Sequence, residues 1–246
     1  MAGVLLEGLS SPVINHPGTV MLTGRMCNAK RLGAVPGVIT PRMALISKSD
    51  IYSGEALAIL EQKQIGFPIL TRAPNFHGGN HFVRVEDPTI WGVSVADLPS
   101  KDLLVMECLD ARSDDGLFRK YRVMSINGVL YPLHLAISTQ WKVHYFSSDM
   151  AQHEEYRNEE AVFLKDFSSF LDSESMATLQ RLSQVLGLDY GGIDFGLDND
   201  GNILLFEANA TMAIVPPASD HKWDYKRDAI EIALAATNEM LIASSR

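Results

Sequence analysis

The sequence predicts an α+β protein made of two lobes, each with a mainly antiparallel sheet. Two short turn signals, Asn127-Gly128 and Asp200-Gly201, lie between apolar segments and indicate β-hairpins. Strand-like segments also cluster ahead of helix-like segments in each part of the chain. This order favours the α+β class over a doubly wound parallel sheet, in which strands and helices alternate.

Composition describes a globular chain. Its 246 residues are 46% hydrophobic and 21% charged, which suits one large domain or two small lobes with a real core. The net charge of −9 disfavours binding to nucleic acid or to anionic membranes. Cys27 and Cys108 have the spacing of neither a disulfide framework nor a zinc site. No apolar segment reaches the roughly 20 residues of a membrane span, and no signal peptide is recognisable, so we expect a cytoplasmic protein.

The first half of the chain predicts turns, strands and one clear helix. Residues 1–45 are punctuated by prolines and are expected to form short strands and turns. Ser53 has the character of an N-cap, and the helix that follows it should end before Gly66. A glycine-bearing loop is expected at residues 74–81. Apolar segments predict strands at residues 67–71, 82–85 and 103–106.

The second half predicts further strands followed by helices. Strands are expected on both sides of Asn127-Gly128 and once more before the helices, at residues 121–126, 129–135 and 141–146. Helices are expected near the end of residues 149–165, over residues 173–186 and over residues 225–242. Gly187 directly follows the second of these helices and suits a left-handed C-cap.

The hairpin at Asp200-Gly201 contains the most informative chemistry. A two-residue loop there places Asp194 opposite Glu207, with Asn209 two residues further along the same face. Opposed carboxylates destabilise a sheet, but two carboxylates beside an amide suit Mg²⁺. The alternative is a surface hairpin whose acids point to water. In this register the opposite face belongs to the core and carries Phe195, Leu197, Leu204 and Phe206.

Residues of the first half could contact a nucleotide. The loop His77-Gly78-Gly79-Asn80 offers backbone N–H groups to an anion, or is a plain hairpin connection; a Walker-type phosphate loop is absent. Arg72 ends a strand and would supply forked donors to phosphate, or would form an ion pair. Glu107 also ends a strand. It is either a hinge that hydrogen-bonds an adenine edge or a solvated strand end.

Two groups of polar residues lie in the strands of the second half. Alternation places Lys120 and Arg122 on one side of their strand, where most such basic residues form a solvated face. His134 and His144 have no second metal ligand at a diagnostic spacing. We therefore expect both histidines to be structural. Trp141, Lys142, His134 and His144 could line an acceptor pocket or fill a sheet, and we expect the second.

Taken in this order, these features resemble the ATP-grasp superfamily. The match is best over residues 190–212, where Asp194 precedes a hairpin and the pattern Glu207-Ala208-Asn209. In that family the three corresponding side chains hold the Mg²⁺ ions that bridge the ATP phosphates. The resemblance implies two antiparallel α+β lobes with the nucleotide cleft between them. It divides the chain into a remnant or truncated N-terminal region, a small lobe and a large lobe, at residues 1–45, 46–108 and 109–246.

The resemblance also implies roles for the other residues. Arg72 stands where the family has a phosphate-binding Lys, and Arg25 stands near an earlier phosphate-contacting Lys. Arg122 matches an Arg that approaches the transferred phosphate, so Arg122 and Arg72 are the expected catalytic residues. Some members carry an Arg at the position of Gly192, and their oxyanion contact is not implied here. The nucleotide contacts implied in addition are His77, Gly78, Gly79, Glu107, Cys108 and Leu109.

The function implied is an ATP- and Mg²⁺-dependent ligase that joins a carboxylate to an amine through an acyl-phosphate. Its partners would be small-molecule or peptide carboxylate and amine substrates, with neither nucleic acid nor membrane. A homodimer and a separate N-terminal substrate domain both stay open. The alternatives are an ATP-dependent phosphotransferase, which leaves phosphate on its acceptor, and a non-catalytic nucleotide-binding module.

Overall fold

The computed structural model describes residues 12–76, 79–145 and 148–244 of the chain. These residues form two compact units. One unit is Pro41–Asp110, and the other contains the described residues up to Thr40 together with those from Ala111 onward. Each unit combines helices with a mainly antiparallel sheet, so the α+β class predicted from the sequence is confirmed.

The elements of the described residues are short to medium in length. The strands are β1 (Val38–Ile39), β2 (Met43–Ser47), β3 (Ile69–Arg72), β4 (Phe82–Val85), β5 (Asp102–Glu107), β6 (Phe118–Ile126), β7 (Val129–Ser138), β8 (Tyr190–Leu197) and β9 (Ile203–Asn209). The α-helices are Pro17–Met21, Arg25–Leu32, Lys48–Ser53, Ala56–Gln62, Trp91–Ser94, Glu154–Lys165, Phe167–Phe170, Ser173–Leu186 and Arg227–Ser244. Short 3₁₀-helices occupy Pro88–Ile90, Asp149–Ala151 and His221–Lys226.

The Pro41–Asp110 unit is built on a four-stranded antiparallel sheet in the order β2-β5-β3-β4. Its helices pack against this sheet around a core that includes Ile46, Leu60, Ile69, Trp91 and Val105. The strands predicted from the apolar segments of this unit are confirmed within two residues.

The helix predicted to start at Ser53 is wrong in its first turn. Ser47 caps the helix Lys48–Ser53 by accepting a hydrogen bond from the backbone of Asp50. Gly54 then ends that helix in the left-handed region, at φ +86°, where glycine has no steric penalty. Ser53 is therefore the last residue of one helix rather than the cap of the next.

The larger unit contains a five-stranded sheet in the order β1-β9-β8-β6-β7. All pairs are antiparallel except the short parallel pair of β1 with β9. The main core lies on one face of this sheet and includes Leu32, Phe163, Leu179, Leu182 and Phe195. A smaller cluster, with Met124, Met212, Ile230 and Met240, packs the C-terminal helix Arg227–Ser244 against strand residues that include Met124.

Short-range signals in this unit are confirmed. Asn127 and Gly128 both have positive φ, 49° and 78°, as a type I′ hairpin turn requires. The helix Ser173–Leu186 has the predicted bounds and ends at Gly187 with φ +69°. None of the helices in the described part of the chain is both long and apolar enough to cross a membrane.

Two expectations for this unit are wrong. The described residues 141–145 form no strand. Residues 17–32, expected as strands and turns, form two helices. The second of these is held by tertiary contacts: Leu32 is fully buried in the main core, and the Asn28 amide donates to the carbonyl of Ala208 at 2.5 Å. Such packing overrides weak local propensity, which is why the sequence pattern missed it.

Candidate functional site

The β8–β9 hairpin brings the two predicted carboxylates together. Asp194 pairs with Glu207, and Gly192 pairs with Asn209, so the predicted register of the acids is confirmed. The turn is different from the prediction. Asp198, not Asn199, pairs with Asn202, with 3.1 Å from its amide nitrogen to the carbonyl oxygen of Asn202. A three-residue loop is left, whose last residue, Gly201, has φ +81°.

A bulge in β9 restores the register. Phe195 pairs with Leu205 rather than with Phe206, and the pairing shifts by one residue between Asp194 and Phe195. Phe206 is therefore the extra residue, which the turn signal could not reveal. Because of the shift, the core face carries Ile203 and Leu205, so the predicted core positions Leu204 and Phe206 are wrong.

Phe206 lies on the same face as the carboxylates. A Cβ atom on Gly196 would come within 2.9 Å of Cζ of Phe206 and 3.1 Å of Cβ of Ala111. Gly196 is two residues beyond Asp194 and so shares its face of the strand. The absence of a side chain at Gly196 thus leaves room for an aromatic ring beside Asp194.

Four polar residues form one row across the sheet. His134, Arg122, Asp194 and Glu207 are successive partners on β7, β6, β8 and β9. Directly paired residues point to the same face with Cβ atoms about 5 Å apart. The sheet therefore places a neutral base, a cation and two carboxylates side by side.

Asp194 is buried and doubly paired. Nε of Arg122 lies 2.5 Å from its Oδ1, Nη2 of Arg122 lies 2.8 Å from Oδ2, and Nζ of Lys120 lies 3.2 Å from Oδ2. Burial alone would raise the pKa of Asp194, but the charge of Lys120 and the hydrogen bonds of Arg122 hold this pKa below its ordinary range. Asp194 is therefore ionised at neutral pH.

Glu207 has a cation of its own. Nη2 of Arg25, the first residue of the helix Arg25–Leu32, lies 2.7 Å from Oε1 of Glu207. The Asn209 amide nitrogen donates to the same oxygen at 3.0 Å, and its Oδ1 accepts from the backbone of Thr211 at 2.8 Å. The sequence placed Arg25 only near a phosphate, and the structure adds this contact with Glu207.

Oxygen atoms on this face of the hairpin could hold a magnesium ion. No group of three or more His, Cys, Asp or Glu residues suited to a metal occurs within the described residues. Asp194, Glu207 and Asn209 instead supply two carboxylates and an amide, the hard oxygen ligands that Mg²⁺ prefers. Binding would require Lys120 and Arg122 to release Asp194, and the Asn209 amide to turn its oxygen toward the ion.

Arg72 in the smaller unit is buried, with 5% of its surface exposed. Its guanidinium donates to the carbonyl of Phe76 and lies 5.4 Å from the ring centroid of Phe82. Gly79 has φ +73°, which glycine adopts freely. His77 and Gly78, predicted to contact phosphate together with Gly79, lie outside the described residues. Arg72 thus ties the start of this loop to the sheet, and its phosphate contact stays a prediction.

Glu107 is engaged by a residue that the sequence did not indicate. Nε of Arg42 donates to Oε2 at 2.9 Å, Nη2 of Arg42 contacts Oε1, and the backbone N–H of Arg42 also donates to Oε2 at 3.2 Å. The side-chain hydrogen bond from Arg42 lowers the pKa of Glu107. Cys108 and Leu109 follow and are partly buried. An adenine contact by these three residues stays a prediction.

A pocket of about 220 Å³ opens beside Arg122 in the larger unit. His134, which lies in β7, and His144 line it, so the expectation that they only fill a sheet is wrong, whereas Trp141 and Lys142 are not among its lining residues. The polar lining residues include Lys120, Arg122, His134, His144, Trp223 and Lys226. Nε2 of His134 is buried and has no hydrogen-bond partner within the described residues.

A buried network holds one wall of this pocket. Glu160 is fully buried; its Oε1 accepts from Lys226 at 2.5 Å and from the backbone of Leu135 at 3.2 Å. Its Oε2 accepts from the hydroxyls of Tyr225 at 2.5 Å and Tyr145 at 3.0 Å. Burial lowers the pKa of Lys226 although Glu160 opposes the shift. The available sequence signal was a glutamate on the apolar face of the helix Glu154–Lys165.

Gly192 cannot take the Arg that some ATP-grasp proteins have at this position. A Cβ atom there would come within 2.4 Å of Sδ and 2.6 Å of Cβ of Met212, which is buried. The space next to Gly192 is thus filled by Met212. The packing of Met212 therefore explains why this position carries glycine rather than a long side chain.

No family model matches the sequence, and no curated protein matches it. Solved structures do match. The ATP-grasp ligase PsnB, complexed with precursor peptide PsnA2 and AMPPNP, is 14% identical with a TM-score of 0.54, covering 99% of this chain and 65% of that one.

The chain has the ATP-grasp fold. A similar match is the D-alanine-D-alanine ligase from Coxiella burnetii, 12% identical with a TM-score of 0.56, covering 98% of this chain and 66% of that one. Another is macrocyclase MdnC bound with precursor peptide MdnA from Microcystis aeruginosa MRC, 13% identical with a TM-score of 0.55, covering 96% and 67%. The chain thus spans about two thirds of the length of these proteins.

Proposed function

We propose that this protein is an ATP- and Mg²⁺-dependent ligase that joins a carboxylate to an amine. The observation that supports it most is the opposed pair Asp194 and Glu207, with Asn209 beside it, on a hairpin of the ATP-grasp fold. Cations flank both acids, as a site for polyphosphate and a developing negative charge requires.

The proposed reaction has two steps. A carboxylate oxygen of the first substrate attacks the γ-phosphorus of ATP, the bond from that phosphorus to the bridging oxygen breaks, and ADP leaves. The amine nitrogen then attacks the carbonyl carbon, phosphate leaves, and the nitrogen gives up one proton. The protein supplies position and charge neutralisation rather than a covalent intermediate.

The large unit would supply the metal ligands and two cations. Asp194, Glu207 and Asn209 would hold Mg²⁺, which neutralises phosphate charge when bound. Arg122 would steady the charge near the acceptor, and Arg25 would contact phosphate oxygens. Preorganised cations of this kind commonly lower such a barrier by several kcal/mol.

The Pro41–Asp110 unit would supply nucleotide contacts. Arg72 and the backbone of the loop at residues 77–79 would bind phosphate. Glu107, Cys108 and Leu109 would bind adenine, and Arg42 would then orient the carboxylate of Glu107 rather than compete with it.

The substrates of the neighbours suggest a range. PsnB and MdnC are complexed with precursor peptides, whereas the third neighbour is a D-alanine-D-alanine ligase. We propose small-molecule or peptide substrates for this chain on that basis. A cytoplasmic location, and a homodimer or a separate substrate domain, stay predictions.

A non-catalytic nucleotide-binding module is the second candidate. It is favoured by the double pairing of Asp194 with Arg122 and Lys120, which opposes metal binding. Such a module would bind ADP or ATP without acceptor-dependent ADP formation.

Calorimetric titration with Mg·ADP tests the site. We expect Glu207→Gln and Asp194→Asn to lose most of the binding, since each removes a charged Mg²⁺ ligand. Asp200→Asn is the matched control, because Asp200 is an exposed acid in the loop of the same hairpin. Unchanged binding in both site variants would refute the metal site.

Product analysis then separates the candidate functions. A ligase forms ADP over many turnovers only when both an acid and an amine are present, whereas the acid alone gives at most about one ADP per protein, and the full reaction yields an amide and free phosphate. A phosphotransferase yields a phosphorylated acceptor, and a binding module yields no ADP above the background.

A further inference from the structure

The pocket beside Arg122 presents positive charge and no negative charge to its interior. Lys120, Arg122 and Lys226 line it, whereas its described lining residues include no aspartate or glutamate. The acids that pair with these cations, Asp194 and Glu160, are buried and do not line the pocket. An anionic group inside the pocket would therefore meet cations first.

The rest of the lining is mostly apolar. The side chains of Leu133, Val215, Pro216, Pro217, Ile230 and Trp223 contribute to it. Its volume of about 220 Å³ lies below the roughly 300–1,000 Å³ of pockets for drug-sized ligands. An occupant of the size of a single amino acid fits these dimensions, and a folded peptide segment does not.

His134 adds one unsatisfied polar atom. Its Nε2 is buried without a partner in the described chain, and burial together with the charge of Arg122 lowers the pKa of His134 well below its ordinary value. The ring is therefore neutral. Its Nε2 has almost no accessible surface, so an occupant would reach this atom only after a shift of the ring, and His134 contributes a neutral wall rather than a charge.

We propose that this pocket binds the acid substrate and selects a small carboxylate with an apolar body and no amino group. The proposal rests on the ligase function proposed above and narrows its substrate class. The carboxylate would lie against Lys120 and Arg122, with the body against Trp223 and Ile230. An ammonium group would meet three cations and no acid, so amino acids and basic side chains would be excluded.

A matched series of three compounds tests this selection. 3-Phenylpropionate, 3-phenylpropanamide and 3-phenylpropylamine share one body and differ only in the head group. Each is titrated into the full chain, with and without Mg·ADP, while ¹H–¹⁵N spectra are recorded. We expect the acid to bind at least about tenfold more tightly than the amide and the amine not to saturate. The indole N–H signal of Trp223 should move with the acid.

Two variants identify the contacts. Lys120→Met should weaken binding of the acid about tenfold and leave the amide unchanged, because it removes charge while keeping most of the chain length. Trp223→Leu should weaken the acid and the amide together, because it removes apolar contact. Lys165→Met is the matched control, since Lys165 is an exposed lysine outside the pocket lining.

The outcomes are distinct. Equal affinity for acid and amine, or no saturable binding of the acid in either condition, would overturn the proposal. The proposal also fails if neither Lys120→Met nor Trp223→Leu weakens binding of the acid. Acid binding without ADP formation for any amine would contradict the ligase function and leave the pocket assignment standing. If ADP forms with an amino acid or peptide as the acid substrate and 3-phenylpropionate does not bind, the pocket assignment is wrong and the ligase function stands.

Discussion

Replacing Asp194 by asparagine should destabilise the protein strongly. The carboxylate is 5% exposed and makes contacts of 2.5 and 2.8 Å with Arg122 and 3.2 Å with Lys120. Removing one partner of a buried ion pair costs about 3–5 kcal/mol, because the other charge is left uncompensated. Asparagine keeps one acceptor oxygen and Arg122 is 23% exposed, so we expect the lower end, about 3 kcal/mol. That loss is about a hundredfold in the unfolding equilibrium.

Urea unfolding followed by far-ultraviolet circular dichroism and by tryptophan fluorescence measures the loss. Two probes are needed because the two units can unfold separately, which would invalidate a single transition. Asp200→Asn should stay within about 0.5 kcal/mol of the original protein, since its side chain is exposed. Asp194→Asn/Arg122→Met should recover part of the loss, with a coupling energy of about 0.5–3 kcal/mol. Asp194→Asn with unchanged stability, or strictly additive losses in the double variant, would refute the buried pair.

The same pair predicts a dependence on pH. The folded pKa of Asp194 lies below the ordinary value of about 3.9, so the unfolded chain binds more protons as the pH falls. The stabilisation is therefore complete above pH of about 4–5 and is lost as the pH falls toward the lowered folded pKa. Asp194→Asn should show a weaker loss of stability below about pH 4. If the free energy of unfolding falls equally with decreasing pH in both proteins, this reasoning is wrong.

Other predictions concern single contacts. Arg42→Met should raise the pKa of Glu107, because the arginine hydrogen bond that lowers this pKa is lost. NMR titration of the Glu107 carboxyl carbon measures the change. The free energy of unfolding should change by less than about 1 kcal/mol, because the pair is partly exposed. Gly192→Ala should cost about 1–3 kcal/mol in urea unfolding, since its Cβ would clash with Met212. Gly187→Ala should lower the free energy of unfolding by about 1–2 kcal/mol, since only glycine adopts φ +69° without strain. Gly24→Ala is the control and should be tolerated better, because Gly24 is exposed and a Cβ atom there would meet open space.

Local signals predicted the elements whose geometry is decided within a few residues. Asn127-Gly128 and Gly187 each require positive φ, and a turn or a cap follows directly from that requirement. The opposed acids belong to this class because only a short hairpin separates them. The bulge at Phe206 does not belong to this class, because the ring of Phe206 occupies space that Gly196 leaves on the neighbouring strand, and a turn signal carries no information about that contact.

Distant pairs could not be predicted in this way. Arg42 and Glu107 are 65 residues apart, and Glu160 and Lys226 are 66 residues apart. Neither pair has a spacing that a single sequence reveals, although a glutamate on an apolar helix face is an expected place for a buried partner. The pocket lining was misjudged for the same reason, since its walls come from strands and from the segment at residues 213–226.

Because Phe206 is an extra residue in β9, the aromatic ring and the paired acids of this hairpin can change independently of each other. Without Phe206, the pairs Phe195–Leu205 and Asp194–Glu207 would become neighbours in an unbroken ladder, so deleting it should leave the acids aligned. What disappears is one aromatic ring beside them. The ring can therefore be removed by a one-residue deletion while the acids stay paired.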